Sequence, residues 1–459
     1  MRQAARGQEQ AAAETPTFPS IKVTRMRSKE QLKQDVLDAI RRHHDTIVSL
    51  ARTVWENPES GYREFKTAEL AEKTLRQHGY QPATGLSLTG LRADLDGAMP
   101  GPTLAVLGEL DALVMPTHPA CDPKTGAVHA CGHHSHIAAM LGAAIALREA
   151  GAQDSLAGRV AFIATPAEEC IELAYRDQLL REGRIHALGG KASLILEGVF
   201  DDVDMAIMNH AGGGYGAADH NGFCIKNVTF RGRASHAAYP GDSQNALSAA
   251  TLALSALAML RPKFAVEPSV RMHGIIAGGG TSVNIIPDAV TLEYQLRAST
   301  IEVVARLSEA FDRAVTGCAA ALGCTADIDS YAGYYPLHND HLLGDAYASV
   351  VHGLRPDWSA HVPCGFSHGC TDMGDVSAIM PALHGTCAGS AGGGHTVNYH
   401  VADEEKAYIE NTQILALMCV ELLADDARLG RVVAAHKADC LSVEQYRQSL
   451  ARFSYHKKG

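Results

Sequence analysis

The run His129-Ala130-Cys131-Gly132-His133-His134-Ser135-His136 gathers one thiol and four imidazoles within eight residues. Cys131 and His133 stand two residues apart, just before the apolar stretch 137–147. A thiolate and imidazoles so placed, on a loop at a helix start, can converge on one metal ion, and the helix N-terminus favours the deprotonated sulfur. The plainer alternative is a buried structural cysteine beside surface histidines. A second group, Thr165-Pro166-Ala167-Glu168-Glu169-Cys170, ends an apolar run. Adjacent side chains on extended backbone point opposite ways, so one carboxylate can bind metal while the other faces substrate as a base. Taken alone, such a pair is also an ordinary solvated helix start. His210 and His395 sit in glycine-rich settings, Asn209-His210-Ala211-Gly212-Gly213-Gly214 and Gly392-Gly393-Gly394-His395-Thr396, where backbone can approach a ligand closely. Further along come Ala234-Ser235-His236-Ala237-Ala238-Tyr239-Pro240, Asn284 and Arg297. An Arg and an Asn in one small unit can hold a carboxylate, or simply line a solvated strand face.

The elements that must position these residues alternate. Residues 29–57 and 67–78 carry helical periodicity, while 91–95 and 103–107 alternate like neighbouring strands. The second of these runs into Gly108-Glu109-Leu110-Asp111-Ala112-Leu113. Residues 138–150 predict a helix and 159–165 a strongly apolar strand. Buried strands alternating with helices predict an α/β fold with chemistry at strand C-terminal ends. Past Gly222 the texture changes to strand 224–232, helix 243–260, strand 270–276, a long strand 282–297 interrupted at Ile286-Pro287-Asp288, helix 301–322 and strand 325–331. That β-α-β-β-α-β order is a ferredoxin-like unit. Helices resume over 342–352, 371–380 and 404–424. The expected organisation is a disordered tail (1–28), a mixed-sheet catalytic domain in two parts (29–217 and 333–459) and an inserted lid and dimerisation domain (218–332).

With 459 residues, against roughly 150 per domain, such a division is in proportion. A core of that size needs no metal for folding, so a metal here serves chemistry. The net charge of −11 and the lack of any long Lys/Arg run argue against nucleic acid and anionic membrane surfaces as partners. No apolar run approaches the roughly 20 residues of a membrane span. The eleven cysteines are odd in number and scattered, which reads as a reduced, intracellular chain and a cytoplasmic location. Residues 1–19 lack the apolar core of a secretory signal. Arg2, Arg6, Arg25 and Arg27 leave an organellar presequence as the alternative, against which Glu9 and Glu14 argue.

Five motifs occur in order: Ala130-Cys131-Gly132-His133, Pro166-Ala167-Glu168-Glu169, His236-Ala237-Ala238-Tyr239-Pro240, the run Gly278-Gly279-Gly280-Thr281-Ser282-Val283-Asn284-Ile285-Ile286-Pro287-Asp288, and His395-Thr396. Together they resemble the M20 metallopeptidase family, and best its amidohydrolase branch of auxin-conjugate and aminobenzoyl-glutamate hydrolases. Thr371-Asp372-Met373-Gly374-Asp375-Val376-Ser377 is similar to the aminobenzoyl-glutamate side. The resemblance spans about residues 32–423. It implies two divalent ions per subunit, or one, held by Cys131, His133, Glu169, His210 and His395. Glu168 becomes the general base. His236 becomes an oxyanion-stabilising residue that often reaches across from a second subunit, which implies a homodimer or higher homo-oligomer. Asn284 and Arg297 become contacts to a small-molecule carboxylate substrate. Mixed N, O and S ligands accept zinc, manganese, cobalt or nickel.

The departures from the family are informative. Glu109-Leu110-Asp111 stands where peptidase members carry His-x-Asp, which fits the branch whose cysteine ligand compensates. His134 and His136 follow the ligand histidine where an acidic or amide residue is usual, so either can touch metal or substrate. Glu197 reads as structural, with a spare carboxylate ligand as the alternative. The expected function is metal-dependent hydrolysis of a C–N bond, the amide of an N-acyl or aminobenzoyl amino acid. One rival keeps the site and releases ammonia from an electron-poor aromatic amine such as a substituted anthranilate. Another is a metal-dependent binding protein without catalysis.

Overall fold

Apolar residues at three- and four-residue spacing build the first two helices. Leu32, Val36, Ala39 and Ile40 are the buried face of α1 (Lys29–Arg42), and Ile47, Leu50, Ala51 and Val54 that of α2 (His44–Glu56). The helical stretch 29–57 is therefore two helices, parted at His43. The Ser28 hydroxyl caps α1 by accepting from the Gln31 amide. The computed structural model describes residues 27–267, 269–362 and 364–459, and the expected disordered tail lies, through residue 26, outside the described residues.

After α3 (Phe65–Gln77) the chain enters its first sheet through β1 (Ala83–Leu86), β2 (Gly90–Asp96), β3 (Met99–Glu109), β4 (Ala157–Thr165), β5 (Met205–Ala211) and β6 (Gly216–Ala217). A second sheet follows, from β7 (Gly222–Arg231), β8 (Arg271–Gly278), β9 (Ala289–Ala298) and β10 (Thr325–Ala332). The chain then returns to the first sheet with β11 (Ala382–Cys387) and closes by adding β12 (Tyr455–Lys457) to the second.

The first sheet has the order β1-β2-β4-β3-β5-β11-β6. Its centre is parallel: β3 with β4 and β5, and β5 with β11. The expectation that 91–95 and 103–107 are neighbouring strands is corrected here. The link between β2 and β3 passes over the start of β4, where the Gly97 amide donates to Gly158 O at 2.7 Å, and β4 takes the place between them. Both faces are covered. Leu104 and Val106 of β3 pack with α1, α2 and α4 (His133–Glu149), while Ala105 and Leu107 pack with Val376, Ile379 and Tyr446. Helix α4 is buried on every side from His133 to Leu147, as its apolar stretch 137–147 requires of the helix. Its start lies five residues earlier than the apolar pattern predicts.

The second sheet has the order β8-β9-β7-β10-β12, all antiparallel. Helices Ala246–Leu260 and Ile301–Ala321 cover one face around Phe230, Leu292, Leu296 and Phe311. Its elements follow one another as strand, helix, strand, strand, helix, strand, and only β12 comes from outside residues 218–332. The long strand expected over 282–297 is two pieces. Ile285–Ile286 pairs with Ser235–His236 in a separate ribbon, and β9 begins after Pro287, which has no amide hydrogen for a ladder.

Candidate metal centre

The parallel strands β3, β4 and β5 deliver carboxylates and a histidine to one end of the first sheet. Cys131 arrives from the loop before α4, and His133 is the first residue of that helix. Gly132 between them has φ +88°, and an added Cβ there would lie 2.3 Å from Ala211 Cβ and 2.5 Å from the Tyr399 hydroxyl. Only glycine allows the chain to turn so abruptly into the helix. The loop after β4 is held from beneath by Arg176, wholly buried, whose guanidinium donates to the carbonyls of Ala167 (3.1 Å), Leu188 (2.6 Å) and Glu169. The His395 amide donates to Ala130 O at 2.9 Å and so ties the last loop to the first.

The resulting distances are short. Cys131 Sγ is 3.4 Å from His210 Nε2, His395 Nε2 is 3.1 Å from Glu169 Oε1, and His133 Nε2 is 3.9 Å from Glu169 Oε1. Cys131, Glu169 and His395 present ligand atoms within 4.8 Å of one another, as do His133, Glu168 and Glu169. A third set, Glu109, His133, His136 and His210, meets the same spacing. Hydrogen bonding separates ligands from supports. Glu109 Oε1 accepts from Lys191 Nζ at 2.6 Å, its Oε2 pairs with His136 Nδ1 at 2.8 Å, and His136 Nε2 accepts from the Ala211 amide at 2.7 Å. Those two residues are already engaged. His133 Nε2, by contrast, is buried without a hydrogen-bond partner, and buried Glu169 Oε1 has only His395 Nε2 beside it, outside hydrogen-bond geometry at 3.1 Å. Buried polar atoms left bare are costly, and a cation between them is the natural remedy. The donor set of thiol, imidazole and carboxylate therefore fits a divalent metal.

Asp111 aims two of these groups. Its Oδ1 and carbonyl oxygen lie 3.0 and 2.9 Å from His133 Nδ1, and its Oδ2 accepts from the Glu169 amide at 2.9 Å. With Nδ1 donating, His133 turns its Nε2 lone pair into the site. Burial alone would depress His133, but Glu109 and Asp111 hold its pKa well above the ordinary imidazole value. Burial, then Glu109 and Glu169, push Glu168 well above the usual carboxylate range. Burial, then Glu169, raise the Cys131 thiol, a proton that a metal would displace.

The structure thus brings Cys131, His133, Glu168, Glu169, His210 and His395 together. It does not bring His236 or Asn284 to them. Both are exposed on the ribbon of the second sheet's side, where His236 Nδ1 accepts from the Ala238 amide and Asn284 Oδ1 from the Ser282 hydroxyl. Arg297 is intermediate: half-buried on β9, held by Gln295 at 2.6 Å, with its charge felt at His395 and Cys370. His134 turns away, toward Trp55 and the Tyr408 hydroxyl. His136 supports the centre through Glu109 and Ala211 rather than facing it. Glu197 is structural, its carboxylate accepting from the Ser87 amide and hydroxyl. Sequence reasoning passed over Lys191 and Asp372 as site residues. A lone lysine inside the apolar run 187–196 was the available signal for the first.

A mixed sheet with carboxylate, imidazole and thiol donors converging at its parallel-strand ends defines a metallohydrolase of the α/β class. Residues 91–421 match peptidase family M20/M25/M40, and the chain belongs to that family. It is 33% identical over 378 residues to the Xaa-Arg dipeptidase of Mus musculus, covering 77% of this chain and 79% of the relative. It is 28% identical to the N-acetyl-L-cysteine deacetylase of Bacillus subtilis, covering 67% and 73%. The solved structure of the Bacillus subtilis YXEP protein, described as a dinuclear metal-binding peptidase of the M20 family, shares the fold. Its TM-score is 0.62 at 22% identity, over 83% of this chain and 99% of that one. The chain is accordingly a metal-dependent hydrolase of C–N bonds, related to the family's amidohydrolases.

Proposed function

We propose that the chain hydrolyses the amide bond of a small N-acyl or aminobenzoyl amino acid, with Glu168 as general base. The observation that carries this reading is the division of work between neighbouring carboxylates. Glu169 lies among the bare donor atoms, 3.1 Å from His395, whereas Glu168 stands at their edge, its Oε2 3.7 Å from His133 Nε2. Cys131, His133, Glu169, His210 and His395 would hold one or two divalent ions (zinc, manganese, cobalt or nickel). Bound there, a divalent ion supplies Lewis acidity that polarises a carbonyl oxygen and lowers the pKa of water. Glu168 takes the proton of the attacking water and passes it to the leaving nitrogen. Arg297 anchors the substrate carboxylate, a role supported by its half-buried guanidinium, whose charge is felt at His395. A dipeptidase and a deacetylase among the relatives support an amide as the bond cleaved.

The same reading assigns residues 218–332 as a lid and dimerisation unit. The open edge of β8 exposes Ile275 and Ile276, and the neighbouring helix exposes Leu252 and Met259, an apolar surface that a second copy would cover. Dimerisation would let His236 and Asn284 of one copy serve the centre of the other.

Glu168→Gln tests the base. Metal content should be unchanged and turnover should fall about 10²–10⁴-fold; full activity in this variant sinks the assignment. Wild-type enzyme should be screened against N-acetyl amino acids, dipeptides and carboxy-substituted anilines. Ammonia release without a second organic product would move the reading to aromatic deamination, and stable metal loading with no hydrolysis anywhere would leave a binding protein.

A further inference from the structure

Beside the bare donor atoms lies a second convergence. Glu109, Glu168 and Asp372 each offer an oxygen within 4.8 Å of the other two, and none is more than 7% exposed. Buried carboxylate oxygens at that spacing suit a hard divalent cation. An unpartnered nitrogen faces the same space: His133 Nε2, on a residue 1% exposed, is 3.3 Å from Glu109 Oε2 and 3.7 Å from Glu168 Oε2. Three carboxylates and an imidazole nitrogen gathered out of water would draw a cation. The position is taken by something else. The Lys191 ammonium, fully buried, lies 2.6 Å from Glu109 Oε1 and donates also to Asp372 Oδ1. Asp372 Oδ2 accepts from Lys191's own amide at 3.0 Å, so the lysine is gripped at both ends.

We propose that Lys191 is a built-in cation: its ammonium fills the place a further divalent ion would occupy among Glu109, Asp372 and Glu168. This rests on the metal-centre reading above and adds how that centre is bounded. With Lys191 in place, Glu109 is satisfied by the ammonium and by His136, and it stays out of the coordination of the neighbouring ion. Metal is confined to the side of Cys131, Glu169 and His395. Glu168 keeps a compact positive neighbour in place of a metal that would capture its carboxylate, and so remains free to move a proton. Lysine suits this role because its ammonium is a point charge with three donors, enough for two carboxylates and one more contact.

The test is a metal count that requires no turnover. Wild type, Lys191→Arg and Lys191→Met are loaded with Mn²⁺ or with Zn²⁺, freed of excess, and assayed for ions per subunit by plasma mass spectrometry. Lys191→Met should hold one more ion per subunit than wild type, and Lys191→Arg the same number as wild type. Equal counts in folded Lys191→Met and wild type overturn the proposal. Should Lys191→Met fail to fold, anomalous diffraction from Mn²⁺-loaded wild-type crystals decides. Ions should appear beside Cys131, Glu169 and His395, with none within the roughly 2.5 Å of a carboxylate–metal bond from Glu109 or Asp372. An ion on Glu109 or Asp372 overturns the proposal alone. No ion at Cys131, Glu169 and His395 overturns the metal-centre reading, and the proposal with it.

Discussion

Gly132 and Asp111 carry little chemistry of their own, yet the donor geometry depends on them. A methyl at residue 132 would meet Ala211 Cβ at 2.3 Å in a backbone conformation of φ +88° that L side chains rarely adopt. Gly132→Ala should therefore weaken metal binding by about 10–100-fold, the usual cost of disturbing groups that support metal ligands. Competition with a chromophoric chelator measures this, and an unchanged affinity would show that the loop yields freely. Asp111→Asn should lose affinity on the same scale. The aspartate accepts from both His133 Nδ1 and the Glu169 amide. An asparagine has one accepting oxygen, so its NH₂ must confront one of those donors. Asp111 stood out in the sequence only as part of Glu109-Leu110-Asp111 and Gly132 only inside a motif; their supporting roles show only when the partners in α4 and the β4 loop are in place.

Among the elements, the helix Met373–Ile379 carries a pH-dependent seam. Asp375 on it is buried, accepts from the Tyr446 hydroxyl at 2.7 Å and from the Tyr335 amide at 3.3 Å. Burial, only partly offset by the Tyr446 hydrogen bond, pushes its pKa from 3.8 up to about 8. The folded chain thus keeps a proton that the unfolded chain releases. Stability from this site is full below pH 3.8 and is lost as pH rises through about 8. Asp375→Asn keeps an accepting oxygen without the charge, so its advantage over wild type in melting temperature should grow between pH 5 and pH 8. An advantage independent of pH would show that Asp375 is ionised in the fold throughout. The elements themselves were unevenly legible. Helices α1 to α3 followed from periodicity, because each has one buried and one wetter face, and most strands of the second sheet were read as well, whereas the helices Leu173–Arg181, Gly190–Leu196, Arg428–Ala435 and Val443–Ala451 were not. Strands Met205–Ala211 and Ala382–Cys387 were missed. They are short and mostly buried on both faces, so no period marks them, and one of them carries His210. The Glu109–Lys191–Asp372 contacts join residues scattered along the chain, and no local pattern encodes such a meeting.

At the scale of the whole molecule, the family match ends at residue 421, and the segment beyond it returns to brace the second sheet. There the Tyr455 hydroxyl accepts from Lys226 Nζ and donates to Asp312, each at 2.6 Å, while Lys226 and Asp312 pair at 3.0 Å. Tyr455→Phe leaves this buried ion pair short of a partner and should cost about 1–3 kcal/mol in denaturant unfolding, with metal content unchanged. A loss of metal alongside would mean that the second sheet and the donor cluster unfold as one. The exposed strand edge at Ile275, proposed above as a contact between copies, belongs to the same sheet; on that proposal Ile275→Lys should show a lower mass than wild type in light scattering, and an equal mass would rule the contact out. The first sheet, meanwhile, is split: β11 pairs with β5 at its heart but arrives only after four of the five strands of the second sheet have been made. At roughly 5–20 residues per second, a ribosome needs on the order of ten seconds to supply it. During that interval the nascent chain carries β5 with an open edge, so chaperone capture and misassembly should concentrate there during synthesis.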